Sequence, residues 1–335
     1  MSETPAMLSE TPPEGRDLLS DMLSGMRLAG MVLFRAEFRE PWSIVAPAAC
    51  DLVRLLAIRA EHIMPFHIVA DGSCWLNMKN EPPRPLAAGD AVLLPHGDGH
   101  GLSGRETAAA VEVGCLLPPP PWSDILVVEH GGAGASASLV CGFLQCDELL
   151  FHPLLRSLPR VLRVAPGESA DDSWLGEVIR HTATEARRPT PGSRSMLPRL
   201  TELMFVEIMR KHMRDLSAED AGWFAALRDP IAGAALRWLH AEPLMDWSVK
   251  ELANRVGASR SVLNERFRRY LDQPPIHYLA RWRLQLAAQE MKAGQLPMKA
   301  IADLYGYETE AAFSRAFKRC FGAPPGDWRK RQDRH

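Results

Sequence analysis

The sequence lacks several features that would assign it to particular classes of protein. Its six cysteines include no CxxC pair, and no secretory signal precedes them, so we expect reduced thiols in a cytoplasmic protein. It also lacks a run of about 18 apolar residues, and we therefore expect no transmembrane helix.

Charge is distributed unevenly along a chain of 335 residues whose formal net charge is −2. Residues 228–335 contain 19 Lys and Arg against 12 Asp and Glu, which leaves 20 against 29 for residues 1–227. A basic C-terminal region joined to an acidic N-terminal one predicts a nucleic-acid-binding domain attached to a domain with a different role.

The N-terminal region has two parts that differ in amino-acid composition. Residues 1–20 are rich in Pro, Ser and Glu, which predicts disorder, although a short helix is expected from Asp17 to Met26. Residues 21–166 contain short apolar runs separated by Gly, Pro and Asp. This spacing predicts several strands in a sandwich or closed barrel.

One stretch of this β-rich region is more specific. Residues 89–100, GDAVLLPHGDGH, fit the pattern G-x5-P-x-G-x2-H, which resembles the second signature of the cupin barrel and directs His100 inward. The upstream half departs from a metal-binding cupin, because His62 and His67 are five residues apart and face opposite sides of one strand. We therefore expect no metal and no cofactor. The candidates for an effector pocket are His67, Trp75, His96 and His100.

Two cysteines raise a second hypothesis for the same region. Cys141 and Cys146, together with Cys50, Cys74 or Cys115, could form a thiol switch if a thiolate is exposed and its pKa is lowered. The alternative is that they are inert core residues, as free cysteines in apolar strands usually are.

Helical periodicity begins after residue 166. Apolar residues recur at helical spacing from Trp174 to about Arg187 and from about Ser195 to His212. Residues 167–227 are interpreted as a helical linker, and its wide apolar stripes either cover the open face of the barrel or pair with a second subunit.

The C-terminal region contains one pattern twice, from Leu252 to Pro275 and from Ile301 to Pro325. Each copy has a glycine at its turn, an aromatic residue ten or eleven positions later and a closing Pro-Pro pair. Ser248, Ser259 and Thr309 are predicted N-caps, and a long helix from Pro274-Pro275 to Gly294 joins the copies. The repeat predicts two helix-turn-helix units.

The second helix of each unit has a polar outer face that suits the DNA major groove. A solvated helix face is the simpler explanation of any one basic stripe, but the repetition weakens it. The predicted DNA-binding residues are Arg260, Ser261, Asn264, Glu265 and Arg268 in the first helix, and Glu310, Ala311, Ser314, Arg315 and Lys318 in the second.

These residues carry a family resemblance. Residues 228–332 closely resemble the DNA-binding domain of the AraC/XylS family of transcription regulators, and the N-terminal half resembles the family's cupin sensor domain. The resemblance implies a regulator rather than an enzyme, with promoter DNA, RNA polymerase, a small-molecule effector and a second subunit as partners. Base-contacting positions of the family fall on Ser261, Asn264, Glu265, Glu310, Ala311 and Arg315.

The expected fold is multidomain α+β. It comprises an N-terminal β-barrel of the cupin type, a double-stranded β-helix, over residues 21–166, the helices of residues 167–227, and an all-α domain of two helix-turn-helix units over residues 228–335. Two alternatives stay open: a metal-dependent cupin enzyme with an accessory DNA-binding module, and a regulator that senses oxidants through thiols.

Overall fold

The computed structural model describes residues 17–24, 28–58, 60, 62–106, 108–122, 124–146, 155–165, 173–217, 219–294 and 296–332. They form two compact units. We call the described parts of residues 26–148 and 158–215 the sheet unit, and those of residues 1–25, 149–157 and 216–335 the helical unit.

A short N-terminal helix, α1 (Leu18–Ser24), belongs to the helical unit. Asp17 caps it, because its Oδ1 accepts from the backbone N–H of Leu19 at 3.0 Å and of Ser20 at 3.1 Å. The short predicted helix is therefore present, and residues 18–20 are helical rather than disordered. Residues 1–16, for which disorder was also predicted, lie outside the described residues.

The sheet unit contains eleven strands among its described residues. They are β1 (Ala29–Arg39), β2 (Ser43–Ala46), β3 (His62–Asp71), β4 (Ser73–Met78), β5 (Arg84–Ala87), β6 (Ala91–Leu93), β7 (His100–Ser103), β8 (Val111–Glu112), β9 (Leu126–Gly131), β10 (Ser136–Cys146) and β11 (Leu162–Val164). A short helix, α2 (Ala49–Leu55), follows β2.

The strands form two sheets that share one core. The six-stranded sheet has the order β11-β6-β3-β10-β1-β9, and the five-stranded sheet has the order β5-β4-β7-β2-β8. Side chains of both sheets meet in a cluster that includes Phe38, Trp42, Leu76 and Leu102. The predicted β-rich N-terminal domain is present, with its described strands arranged as two sheets rather than one closed barrel.

The cupin-like stretch, residues 89–100, connects the two sheets. Its first strand, β6, pairs with β3, whereas its second strand, β7, pairs with β2 and β4 of the other sheet. The predicted returning strand therefore crosses to the opposite layer, and His100 at its start is 4% exposed, as predicted.

Two helices pack on the outer face of the six-stranded sheet. They are α3 (Ser173–Arg187), which contacts β3 and β10, and α4 (Ser193–Asp215), which contacts β1. Because helices cover one face of β3 and the core covers the other, residues 63–69 are buried without alternation. The helix α4 begins two residues earlier than predicted, and Pro198 lies in its second turn.

The helical unit continues with eight further helices among its described residues. They are α5 (Trp223–Arg228), α6 (Pro230–Ala241), α7 (Val249–Arg255), α8 (Arg260–Leu271), α9 (Pro275–Ala293), α10 (Met298–Leu304), α11 (Glu310–Phe321) and α12 (Pro325–Gln332). Across the described residues of both units, we find no helix with the length and apolar character needed to span a membrane.

Candidate nucleic-acid interface and effector cavity

The first helix-turn-helix unit consists of α7 and α8. Ser248 caps α7 by accepting from the N–H of Glu251 at 3.1 Å, and Ser259 caps α8 by accepting from the N–H of Val262 at 3.2 Å. Gly257, with φ of +67°, allows the left-handed turn between the helices. The predicted caps and turn are present.

The second unit, α10 and α11, repeats this geometry. Gly306 has φ of +80°, and Thr309 caps α11 by accepting from the N–H of Ala312 at 3.1 Å. Because turn and cap recur in the same order, both units present their second helix in the same local way.

The two second helices, α8 and α11, bury equivalent positions. Leu263 and Phe267 of α8, and Phe313 and Phe317 of α11, have no exposed surface. The predicted DNA-binding residues lie on the opposite sides. Asn264 and Ser314 are partly buried, and the others are exposed: Arg260, Ser261, Glu265 and Arg268 on α8, and Glu310, Ala311, Arg315 and Lys318 on α11.

Some polar groups on α8 are engaged within the protein. The Asn264 side-chain amide donates to the backbone carbonyl of Arg260 at 2.8 Å, and the Ser259 and Ser261 hydroxyls are 2.9 Å apart. Arg266 is partly buried and its guanidinium lies 3.6 Å from the Asp229 carboxylate. Arg268 and Arg269 are therefore better placed to meet phosphates than Arg266.

The long helix α9 holds both units. Its Tyr278 ring lies 6.1 Å from that of Phe267, and its residues Ala287 and Met291 belong to the core that contains Phe313. Among its apolar side chains, Leu279 and Met291 are buried, whereas Ile276, Trp282 and Leu286 are partly buried.

One anchor on α9 could not be predicted from periodicity. The Arg283 guanidinium donates to the backbone carbonyl of Pro243 at 2.7 Å and of Met245 at 2.8 Å. It thereby ties the loop that precedes the first unit to the helix that joins the two units.

The sheet unit contains a small apolar cavity of about 30 Å³. The cavity is lined by His67, His100, Cys141 and apolar residues that include Leu33, Phe34 and Leu102. Two of the four effector candidates, His67 and His100, are therefore brought together there.

The polar groups of this cavity form one linear row of consecutive hydrogen bonds. The Sγ atom of Cys141 lies 3.0 Å from Nδ1 of His67, whose Nε2 lies 2.7 Å from Nε2 of His100. Nδ1 of His100 lies 2.9 Å from the backbone oxygen of Asp98. Burial lowers the pKa of both imidazoles, so both rings are neutral at neutral pH.

The last acceptor in this row, the backbone oxygen of Asp98, determines which atom donates in each of its hydrogen bonds. Because the Asp98 carbonyl can only accept, Nδ1 of His100 carries a hydrogen, and its Nε2 accepts from Nε2 of His67. Nδ1 of His67 must then accept from the Cys141 thiol. The cavity wall is thus uncharged, with one ordered polar row among apolar side chains.

The other two effector candidates do not line this cavity. The Nε2 atom of His96 lies 2.9 Å from the backbone oxygen of Leu158, so His96 binds a loop of the sheet unit. Trp75 lies on β4, opposite Ser103 of β7 and Pro85 of β5, and is partly buried.

The two redox candidates lie on β10 and are buried, at 1% exposure for Cys141 and 4% for Cys146. They are five residues apart in one strand, so their side chains point to opposite faces. Burial raises the pKa of the Cys141 thiol, and burial likewise raises the pKa of Cys74 to about 12. The exposed, low-pKa thiolate on which the switch hypothesis depended is not found at Cys141.

The metal hypothesis depended on convergent ligands. His62 binds the backbone oxygen of Pro95 at 2.6 Å on the other side of β3 from His67, as the alternation predicts. Among the described residues, no group of three or more His, Cys, Asp or Glu side chains is arranged to hold a metal ion.

The fold and the two helix-turn-helix units define a DNA-binding protein with a sheet-rich N-terminal domain. A model of the cupin family matches residues 17–214, and a helix-turn-helix domain model matches residues 252–331. An AraC-like transcription regulator from Streptomyces antibioticus is 32% identical over 274 residues, which cover 81% of this chain and 88% of the relative.

Two further relatives have individual names. AlkR, an HTH-type transcriptional regulator from Acinetobacter baylyi, is 29% identical over 81% of this chain and 89% of its own. RclR, an RCS-specific transcriptional activator from Escherichia coli, is 28% identical over 80% of this chain and 85% of its own. The chain belongs to the AraC-like family of DNA-binding transcription regulators and carries a cupin domain at its N-terminal end.

Proposed function

We propose that α8 and α11 enter successive major grooves of promoter DNA and read an asymmetric site. The observation that carries this proposal is the match between the two helices in buried positions, caps and turns, combined with different exposed side chains. A net positive charge over residues 228–335 favours approach to the phosphates of DNA.

Individual side chains have distinct roles in this proposal. Arg260 and Arg315 are placed to recognise guanine edges, Glu310 to accept from a cytosine amino group, and Ala311 to contact a thymine methyl group. Asn264 reads a base after it releases the Arg260 carbonyl. Arg268 and Lys318 bind phosphates and position the helices.

The test is the substitution Arg315→Ala in the full chain. A double-stranded fragment is first selected from a randomised pool with the unsubstituted protein. We expect the substitution to weaken binding to this fragment by about 1–3 kcal/mol and to relax selectivity at one base pair, measured by gel shift.

The matched control is Arg54→Ala, which removes an exposed arginine from the sheet unit. We expect it to leave affinity and selectivity unchanged. Equal behaviour of Arg315→Ala and the unsubstituted protein would show that the assigned face of α11 is wrong.

The sheet unit, in this proposal, binds an effector and has no catalytic role. The apolar cavity at His67 and His100 is the candidate site, and because its volume of about 30 Å³ is well below that of small-molecule sites, an effector must widen it by displacing side chains that line it.

We further infer that the regulator acts in the cytoplasm as a homodimer and recruits or blocks RNA polymerase at its promoters. The helices α3 and α4 support the dimer, because each exposes a large apolar side chain: Trp174 is 55% exposed and Met196 is 47% exposed.

A further inference from the structure

The chain crosses from the helical unit to the sheet unit between Ser157 and Leu158. Residues 155–157 belong to the helical unit and residues 158–160 to the sheet unit, and we call residues 155–160 together the crossing segment. Consecutive Cα atoms are about 3.8 Å apart, so a displacement of Leu158 is passed to Ser157 across a single peptide bond.

Side chains of the sheet unit hold the second half of the crossing segment. Nε2 of His96, in the loop between β6 and β7, donates to the backbone oxygen of Leu158 at 2.9 Å. The guanidinium of Arg160 donates to the Asp98 carboxylate of the same loop at 3.1 Å and to the Glu81 carboxylate at 2.7 Å. Charged hydrogen bonds to two carboxylates restrict where residues 158–160 lie.

Asp98 connects these bonds to the candidate effector cavity. Its carboxylate accepts from Arg160, and its backbone oxygen accepts from Nδ1 of His100, the last ring in the hydrogen-bonded row. An effector must displace side chains that line the cavity, and His67 and His100 are among them. A displaced His100 ring loses the Asp98 carbonyl, so binding in the cavity acts on the loop that holds the crossing segment.

The first half of the crossing segment lies against backbone that is bonded to the first recognition helix. A Cβ added to Gly222 would lie 2.5 Å from Cβ of Ser157, so the two residues are in close contact within the helical unit. The N–H of Gly222 donates to the backbone oxygen of Tyr270 in α8 at 2.8 Å. A shift of Ser157 therefore acts on the C-terminal end of α8.

We propose that the crossing segment couples the effector cavity to DNA binding by α8, with His96 and Arg160 as its positioning residues. The inference rests on the proposed function, because it needs an effector in the cavity and α8 on DNA. An effector that displaces His100 shifts the loop that holds residues 158–160, and the shift reaches Ser157 across one peptide bond. Effector and DNA then change each other's affinity by the same factor.

Substitutions that fill the cavity take the place of the effector in the test. Ala46 lines the cavity and lies opposite His100 in the pairing of β2 with β7, so Ala46→Leu adds bulk where an effector would displace that ring. Leu117→Phe does so at another point of the cavity wall. We expect at least one of them to change the affinity of the full chain for its selected DNA fragment by about fivefold or more, measured by gel shift. The thermal midpoint of each variant checks that it is folded.

A double-mutant cycle assigns the effect to the crossing segment. Arg160→Ala removes the bonds to Asp98 and Glu81, and in this background we expect the cavity variant to change DNA affinity by less than about twofold. Arg84→Ala is the matched control, because Arg84 binds the same Glu81 carboxylate at 2.6 Å but lies on β5, outside the crossing segment. In the control background the change of about fivefold should remain.

Two outcomes overturn this inference. Unchanged DNA affinity in both cavity variants would show that a filled cavity does not act on DNA binding. A change that is equally large in the Arg160→Ala background would show that the cavity acts on DNA binding by another route, and effector control would then still hold. Either result leaves the proposed reading of DNA by α8 and α11 intact, because Arg315→Ala tests it separately.

Discussion

The two recognition helices differ most where they are exposed and least where they are buried. Along twelve residues each, α8 and α11 have the same sequence of exposed, partly buried and buried positions. At two equivalent exposed positions the charge is reversed: Arg260 corresponds to Glu310, and Glu265 corresponds to Arg315. The core of the unit and its proposed DNA-contacting face are therefore specified by separate sets of residues.

The helices also end differently. Each ends in a left-handed residue, but α8 ends at Asp272 with φ of +53° and α11 ends at Gly322 with φ of +74°. Glycine takes this conformation without steric cost, whereas aspartate does not. The first unit thus carries a charged side chain at a point where the second carries none, and Asp272 lines a cavity of about 310 Å³.

The largest expected effect is a loss of stability when the equivalent buried rings of α8 and α11 are removed. Phe267→Ala and Phe317→Ala each remove a fully buried ring, and we expect each to destabilise the helical unit by about 3–5 kcal/mol. Urea unfolding of the full chain, followed by circular dichroism, measures this loss.

Leu244→Ala is the matched control, because Leu244 lies in the same unit and is 50% exposed. We expect little loss of stability from it. A large difference in stability between the two Phe variants would show that the two copies are not equivalent.

We expect a smaller effect, on DNA binding, from exchanging the charges at two exposed positions that differ between the helices. The double variant Glu265→Arg with Arg315→Glu gives each helix the charge of the other, and we expect each change to cost about 1–3 kcal/mol in binding to the original fragment. Selection from a randomised DNA pool should return an altered site, while the thermal midpoint stays unchanged. Selection of the original site would mean that these two positions do not read bases.

The smallest effect concerns the caps. Ser259→Ala and Thr309→Ala each remove an acceptor for a helix N–H, at 3.2 Å and 3.1 Å, and we expect each to cost about 1 kcal/mol of stability. Thr309→Asp retains an acceptor and should keep most of that stability. Unequal losses from the two Ala variants would show that the second helices depend differently on their caps.

The predictions that succeeded depend on residues close together in the chain. Ser248, Ser259 and Thr309 cap helices by bonds to residues three positions later. The helix α5, by contrast, has six residues and no side-chain cap, so periodicity gave no indication of it.

The predictions that changed depend on residues far apart in the chain. His96 and Trp75 were plausible cavity residues by type, but pairing across the sheets places them elsewhere. The signature at residues 89–100 correctly predicted that His100 is buried. It could not reveal that β6 and β7 belong to different sheets. Sheet membership depends on the register between distant strands, which local pattern does not encode.

The sequence by itself determined the two helix-turn-helix units, their caps and turns, and which side chains each recognition helix exposes. These follow from local periodicity, capping chemistry and repetition. Tertiary structure alone decided that Cys141, His67 and His100 form one hydrogen-bonded row, with partners 74 and 33 residues apart. It also decided that Asp272, Trp223 and Gln285 surround one cavity. Such sites are made by packing between distant segments, and only the folded chain brings those segments together.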